Sequence, residues 1–376
     1  MQQYLQLLRE IKQRGVIKPA ARKNMPSTQS LFGYQFRHDL KQGFPILTTK
    51  KVNFGHIVTE LLWFLRGDTN VKYLVDNGCN IWNEDAYNYY KKLFPHSTSS
   101  FEDFIKHIKE NEKPDKYCVG KDVNTPNYQI GDCGYQYGKL WRNWEKYNEI
   151  SSFPTTEDKD LICEKVSIDQ IEELIRGLKA TPEGRRHMIT ALNPAHYNDL
   201  ALFPCHVLAQ FNCRPLTIEE LEQKLSSEDY QNLINCKNQT EVNLYLDTIN
   251  IPKYYLDCQT YQRSADVFLG VPYNIASYAL LTHVLCEICN FGIGEIICTY
   301  GDVHIYENHK EPVDIQLERT PTTLPRLEIS KCPNVDWKTS TLEEILSSIN
   351  SFEAKTFILK GYSPQAFIKG ELSTGM

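Results

Sequence analysis

The densest concentration of reactive side chains in this sequence is Gln259-Thr260-Tyr261-Gln262-Arg263-Ser264-Ala265-Asp266, continuing to Gly270 and Asn274. Amide, guanidinium, hydroxyl and carboxylate groups crowd a stretch whose other residues are built for burial. Arg263 and Asp266 either pair with each other, an uncommon arrangement because of its desolvation cost, or face a polar ligand; spacing alone leans slightly to the pair. A second cluster, Phe203-Pro204-Cys205-His206, sets a thiol just after a proline at the mouth of the apolar run Val207 to Phe211. A cysteine so placed is more often core than nucleophile. A nearby cation that favours the thiolate would reverse this.

Arg185-Arg186 offers two guanidinium forks that match phosphate oxygens, with a solvated turn as the simpler account. Glu60 sits in Val58-Thr59-Glu60-Leu61-Leu62-Trp63. If it is enclosed there, its apolar neighbours favour the protonated carboxyl and suit it to acid-base work. Asp302, His304 and Tyr306 recur at period two, as one face of a strand requires, and together could bind a hydroxyl. His304 alone is more often a satisfied core histidine.

Periodicity predicts the elements that position these groups. An N-terminal helix is expected over Gln3 to Arg14, a strand over Ser30 to Arg37 and an apolar helix around His56 to Leu65. From Tyr255 to Tyr306 strand-like and helix-like apolar runs alternate. Two segments break the pattern. Residues 88–131 are charged, with Phe101, Phe104, Ile105 and Ile108 at helical spacing behind the capping pair Ser100 and Asp103; they read as an inserted small lobe. Residues 216–250 open with Thr217-x-x-Glu220 and carry Ile218, Leu221 and Leu225, a capped surface helix in a second insertion.

Composition excludes several classes. A chain of 376 residues, 41% hydrophobic and 23% charged, is ordinary for a globular protein. The longest apolar stretch, Ile275 to Cys289, is interrupted by His283 and Glu287, short of the roughly 18 to 20 residues of a membrane span. No secretory leader is expected, and the cytoplasm is the expected location. The 12 cysteines are scattered without disulfide spacing, and Cys286-x-x-Cys289 lacks the second ligand pair of a zinc site. A net charge of −6 argues against a broad nucleic-acid-binding face.

Taken in order, the segments resemble the thymidylate synthase family. The match runs through Phe44-Pro45-Ile46-Leu47-Thr48-Thr49-Lys50, Glu60-Leu61-Leu62-Trp63-Phe64-Leu65-x-Gly67-Asp68-Thr69, Ile81-Trp82, Tyr137-Gly138-x-x-Trp141-Arg142, Arg185-Arg186 and Pro204-Cys205-His206. It continues from Tyr261 to His283, then through Gly301-Asp302-x-His304-x-Tyr306 and Asn308-His309, covering about two-thirds of the chain without the insertions. The resemblance implies an α+β fold, a twisted, mainly mixed β-sheet covered by helices, in one catalytic domain spanning 1–376 with two helical insertions. It implies conversion of dUMP to dTMP with 5,10-methylenetetrahydrofolate as co-substrate, no metal, and an obligate homodimer.

The family's roles carry over by motif. Cys205 is the implied nucleophile, with Arg263 favouring its thiolate; Glu60 and Tyr137 serve proton transfer, and His206 stands behind the nucleophile. Asn274 is implied to read the uracil edge, supplying one acceptor and one donor, so that deoxycytidylate would leave buried polar groups unpaired. Arg263 and Ser264, with Arg185 and Arg186 from the other subunit, match the phosphate site, and His304 and Tyr306 match the sugar contacts. Gln262 and Asp266 complete the substrate set. Asp266 also matches the pterin-binding carboxylate, alongside Trp82, Ile81, Leu202, Gly270, Lys50 and Asn53 around the folate.

Three places depart from the pattern. A glycine-rich phosphate loop is replaced by Ala21-Arg22-Lys23-Asn24-Met25-Pro26-Ser27-Thr28, where Arg22 or Lys23 takes the phosphate position, Arg22 preferred for its bidentate geometry. Asn53 stands where many members have histidine, and Ile368 to Met376 runs about two residues past the usual end. Two other activities share these residues. A dUMP hydroxymethyltransferase would capture the methylene intermediate with water, and a catalytically weak homologue would only bind nucleotide or messenger RNA.

Overall fold

The computed structural model describes residues 1–20, 25–110, 128–149, 163–330 and 335–371. The expected phosphate residue Arg22, its neighbour Lys23, most of the latter half of the 88–131 segment and the tail end Leu372 to Met376 lie outside them. The chain forms two compact units: residues 1–62, 175–188 and 205–376, and residues 63–174 and 189–204.

The first unit is built on five strands of a six-stranded mixed sheet: β1 (Val16–Lys18), β2 (Thr28–Asp39), β3 (His206–Pro215), β4 (Tyr254–Asp266) and β5 (Gly292–Tyr306). Their spatial order is β1-β2-β5-β4-β3. β4 and β5 are parallel, whereas β1 with β2, β2 with β5, and β3 with β4 are antiparallel. Parallel neighbours need a long crossover, and helix α6 (Gly270–Cys289) supplies it. That helix is almost wholly buried, which explains its all-round apolar sequence. Burial alternates along the strands: Ala209, Phe211 and Cys213 are buried while Gln210 and Asn212 are exposed. The exposed face carries Arg37, Gln210, Asn212 and Gln259, which with Asp257 and Ile297 line a shallow groove of about 350 Å³.

Helix α1 (Gln2–Arg14) buries Tyr4, Leu5, Leu7, Leu8 and Ile11, and the Tyr4 hydroxyl donates to the Val267 carbonyl at 2.9 Å, fixing the turn between β4 and α6. Helix α2 (Phe54–Leu65) starts at Asn53, whose Oδ1 accepts the His56 amide at 3.3 Å. The second insertion holds three helices rather than one: α3 (Ile218–Glu222), α4 (Ser227–Ile234) and α5 (Gln239–Thr248). The Thr217 and Glu220 capping box forms as its spacing predicts. Leu216, Leu221, Leu233, Leu246 and Tyr255 make a small core of their own, whereas Ile218, grouped with the apolar face by periodicity, is 63% exposed.

In the second unit the helix Phe101–Glu110 buries Phe104 and Ile108 behind the expected Ser100 and Asp103 caps. The preceding helix Asn83–Leu93 runs across residue 88. No described helix is long and apolar enough to cross a membrane.

Candidate active site

Cys205 ends the loop that enters β3. A register shift between His206 and Leu208 interrupts the β3–β4 ladder immediately after it, and such a bulge re-aims the side chains beside it. Two bonds from Arg263 on β4 hold the cysteine. The Arg263 amide donates to the Cys205 carbonyl at 2.9 Å, and the guanidinium Nη2 lies 3.9 Å from Sγ. The thiol is partly exposed, and none of the cysteines whose side chains are described is in a disulfide. Position 266 is three residues from 263, so on a strand the two side chains point to opposite faces; Arg263 turns to the thiol and Asp266 to α6.

Behind the cysteine, His206 is buried, and its Nδ1 is 2.8 Å from the Tyr278 hydroxyl on α6. Burial pushes its pKa down to about 3, so the imidazole is neutral. Tyr278 stays protonated, its pKa raised by burial first and then by the nearby Cys258 and Glu60. Glu60 is itself 7% exposed on α2, enclosed as its neighbours predict.

The turn from β4 into α6 gathers the next group. Gln262 is buried, and its Nε2 donates to Asn274 Oδ1 at 2.8 Å, which fixes the plane of the Asn274 amide one turn into the helix. Asp266 Oδ1 accepts the amides of Phe268 at 2.9 Å and Leu269 at 3.2 Å, capping the entry to α6. A Cβ built on Gly270 would stand 3.7 Å from Asn274 Oδ1 and 3.9 Å from Asp266 Cβ, ordinary contacts. The chain's own packing therefore does not demand glycine there.

Lys50 is 5% exposed; its Nζ donates to the Phe268 carbonyl and lies 3.4 Å over the Phe268 ring. Burial pulls its pKa down to about 7, with the Asp266 carboxylate opposing. His309 approaches Asp266 Oδ1 to 3.7 Å. The group is thus a carboxylate between two titratable bases.

On β5, His304 is buried with Nδ1 3.0 Å from Asp302 Oδ1 and its ring edge-on to Tyr306 at 4.9 Å. The period-two reading of these three residues holds. Parallel pairing sets Ser264 beside Asp302 and Asp266 beside His304. Arg185 and Arg186 are exposed in the turn after the helix Gln170–Ala180.

Tyr137, Trp82, Ile81 and Leu202 belong to the second unit. Tyr137 and Trp82 are buried in an aromatic cluster: Phe64 lies 4.8 Å from Tyr137, Trp63 5.4 Å from Trp82, and Trp82 6.1 Å from Tyr137. Each such pair adds about 0.5–1.5 kcal/mol beyond burial, which rigidifies the cluster. Ile81 and Leu202 are half-buried, and the Leu202 carbonyl accepts Gln136 Nε2 at 2.8 Å. Asn53 is exposed, with its Oδ1 engaged as the cap of α2.

Sequence reasoning gave no role to Tyr278 or His309. Tyr278 lies in a run of buried helix residues, and a hydroxyl there needs a partner; that was the available signal. Among the described residues no three His, Cys, Asp or Glu side chains gather closely enough to hold a metal ion.

The family model for thymidylate synthase matches residues 2–374. A thymidylate synthase of Listeria innocua serovar 6a is 36% identical over 383 residues, 99% of this chain and 100% of that protein. One of Listeria monocytogenes serovar 1/2a is 36% identical over 384 residues with the same coverage. Matched along its whole length by the family model and by these relatives, this chain is an enzyme of the thymidylate synthase family.

Proposed function

We propose that the enzyme reductively methylates dUMP to dTMP with 5,10-methylenetetrahydrofolate and releases dihydrofolate. The observation that carries this reading is the Arg263 guanidinium 3.9 Å from Cys205 Sγ. A cation at that distance favours the thiolate, the form that adds to carbon. Cys205 Sγ bonds to uracil carbon 6, and the electrons of the 5,6 double bond move through carbon 5 onto oxygen 4. Asn274 meets the charge arriving there with an amide N–H and accepts the nitrogen 3 proton, its plane held by Gln262. Glu60, enclosed on α2, and Tyr137 serve the removal of the carbon 5 proton. Carbon 5 would bond to the one-carbon unit that the folate gives up, and its proton is then lost; hydride reaching the transferred carbon leaves a methyl group as the Cys205 thiolate is expelled and the 5,6 double bond restored.

His206, neutral and fixed by Tyr278, positions the nucleophile's strand and transfers no proton to the substrate. Arg263 and Ser264 bind phosphate, joined by Arg22 and, from the second subunit, Arg185 and Arg186, whose exposure in a turn supports such reach. His304 and Tyr306 bind the sugar. Sharing Arg185 and Arg186 between subunits requires a homodimer.

The folate supplies the one-carbon unit and the hydride. The site fits it: Asp266 Oδ1 is committed to two backbone amides, leaving Oδ2 for the pterin. The resemblance adds Gly270, where the chain's own packing does not demand glycine, and Trp82, Ile81, Leu202, Lys50 and Asn53. Water capture of the methylene intermediate, giving 5-hydroxymethyl-dUMP, is the second reading, since it draws on the same residues. Incubation with 5-tritiated dUMP and methylenetetrahydrofolate decides between them. Equimolar tritium release, dTMP and dihydrofolate support methylation; 5-hydroxymethyl-dUMP with little dihydrofolate establishes water capture. No folate-dependent release from a folded dimer sinks both readings.

A further inference from the structure

His309 recurs in the sequence motifs but takes no part in the steps above. It ends a short 3-10 turn, Glu307–His309, after β5 and is fully buried. Its Nε2 donates to the Glu371 carbonyl at 2.8 Å, and its Nδ1 has no hydrogen-bond partner. At 3.7 Å from Asp266 Oδ1, that nitrogen is beyond hydrogen-bond reach but well within ionic range. The rings of Phe268 and Tyr306 enclose the imidazole at 5.2 Å and 5.8 Å.

Glu371 closes a segment stitched along the loop that carries Lys50. The Tyr362 hydroxyl donates to the Leu47 carbonyl at 2.9 Å, the Gln365 amide to the Thr48 carbonyl at 2.8 Å, and Arg319 to the Ala366 carbonyl at 2.6 Å. Ile368 is buried. Gly370 passes so close to Phe268 that a Cβ there would come within 2.7 Å of the ring. Phe268 thus has Gly370 against its ring, His309 beside it, and the Lys50 ammonium over it and on its carbonyl.

We propose that His309 is a positioning residue: one ring nitrogen tethers the C-terminal segment at Glu371 and the other faces Asp266, so that the seat of the segment and the orientation of the folate-binding carboxylate are coupled. The proposal rests on the methylation reading above. Charge supports it. Burial lowers the pKa of the imidazole, but Asp266 and the Glu371 carbonyl outweigh burial and the net shift is upward, with the Lys50 charge opposing. A protonated ring satisfies both neighbours, donating to the carbonyl and facing the carboxylate.

The test compares His309→Phe, which keeps a ring in the pocket but has no N–H, with His309→Gln, which retains a donor able to reach the Glu371 carbonyl. In the free enzyme, hydrogen exchange over residues 366–371 should be on the order of tenfold faster in His309→Phe, the loss of about one hydrogen bond from a charged donor. The KM for methylenetetrahydrofolate should rise by a similar factor, and tritium release should exceed dihydrofolate formation. Calorimetric binding of dUMP should be unchanged, and His309→Gln should recover most of the exchange protection and the coupling. Unchanged tail exchange in His309→Phe overturns the tether. Equal damage in both variants, with dUMP binding lost as well, overturns positioning in favour of a general packing role. If the wild-type enzyme releases no tritium, the methylation reading fails on its own, and the exchange comparison still decides whether His309 holds Glu371.

Discussion

Replacing Lys50 with Met tests the electrostatics at the turn into α6. In the folded protein Lys50 is 5% exposed and its pKa is pulled from 10.5 to about 7 by burial, against the attraction of Asp266. In the unfolded chain the amine keeps its ordinary pKa. Below the folded value both states hold the proton and the full cost of burying the charge is present. Between the two values the unfolded state holds one proton more, so stability rises with pH by about 1.4 kcal/mol per unit. From pH 7 to pH 9, allowing for half-titration at the lower limit, the wild-type enzyme should gain about 2 kcal/mol relative to Lys50→Met. Removing Lys50 also relieves His309 of a repelling charge, so the variant keeps that proton to higher pH and loses more stability on the way up. Both effects widen the difference. The assay is urea unfolding of both proteins at one fixed protein concentration, since the stability of a dimer would depend on it. A wild-type-minus-variant difference that stays flat from pH 7 to pH 9 would refute the buried-ammonium reasoning.

Cys205→Ser should lower turnover by at least about three orders of magnitude while calorimetry still detects dUMP, because a hydroxyl is far less ionised than a thiol; substantial residual activity free of contamination removes Cys205 as nucleophile. Asn274→Asp should move the kcat/KM ratio towards deoxycytidylate by roughly 10- to 100-fold. Gln262 Nε2 can still donate to a carboxylate at 2.8 Å, so the helix should tolerate the change, and unaltered selectivity counts against base reading. Mixing Arg185→Ala with Cys205→Ser should restore about a quarter of wild-type activity, since half the dimers are hybrids with one intact site. No recovery despite proven subunit exchange argues that the arginines are not shared.

The elements that place the site were legible because their burial patterns are periodic. The helix expected from Gln3 to Arg14 forms as Gln2–Arg14, and the strand expected from Ser30 to Arg37 extends to Thr28–Asp39. Capping pairs at Thr217 and Ser100 were readable because the bonded partners lie three residues apart. The second insertion reads as one helix only when its first cap is followed, although Ser226 with Asp229 and Asn238 with Glu241 have the same three-residue spacing. Its other two helices start at Ser226, paired with Asp229, and at Asn238, paired with Glu241, short polar caps in segments whose apolar residues are few.

What stayed hidden is the set of contacts between distant residues, and these divide by the chemistry of the partner. Cys205 and Arg263 are 58 residues apart, and His206 and Tyr278 are 72 apart. Each is a meeting of two unusual side chains, so a thiol at a strand mouth or a hydroxyl in a buried helix already asks for something of the right kind. Lys50 and His309 find backbone carbonyls instead, at Phe268 and Glu371, 218 and 62 residues away. Every residue carries a carbonyl, so its choice as acceptor leaves no mark on composition or spacing. A buried ammonium and a buried imidazole held this way look in sequence like any other Lys and His. Their neighbour Asp266 therefore reads as a lone ligand-binding carboxylate, when in the folded chain it is the centre of a charged group whose other members are fixed by the main chain.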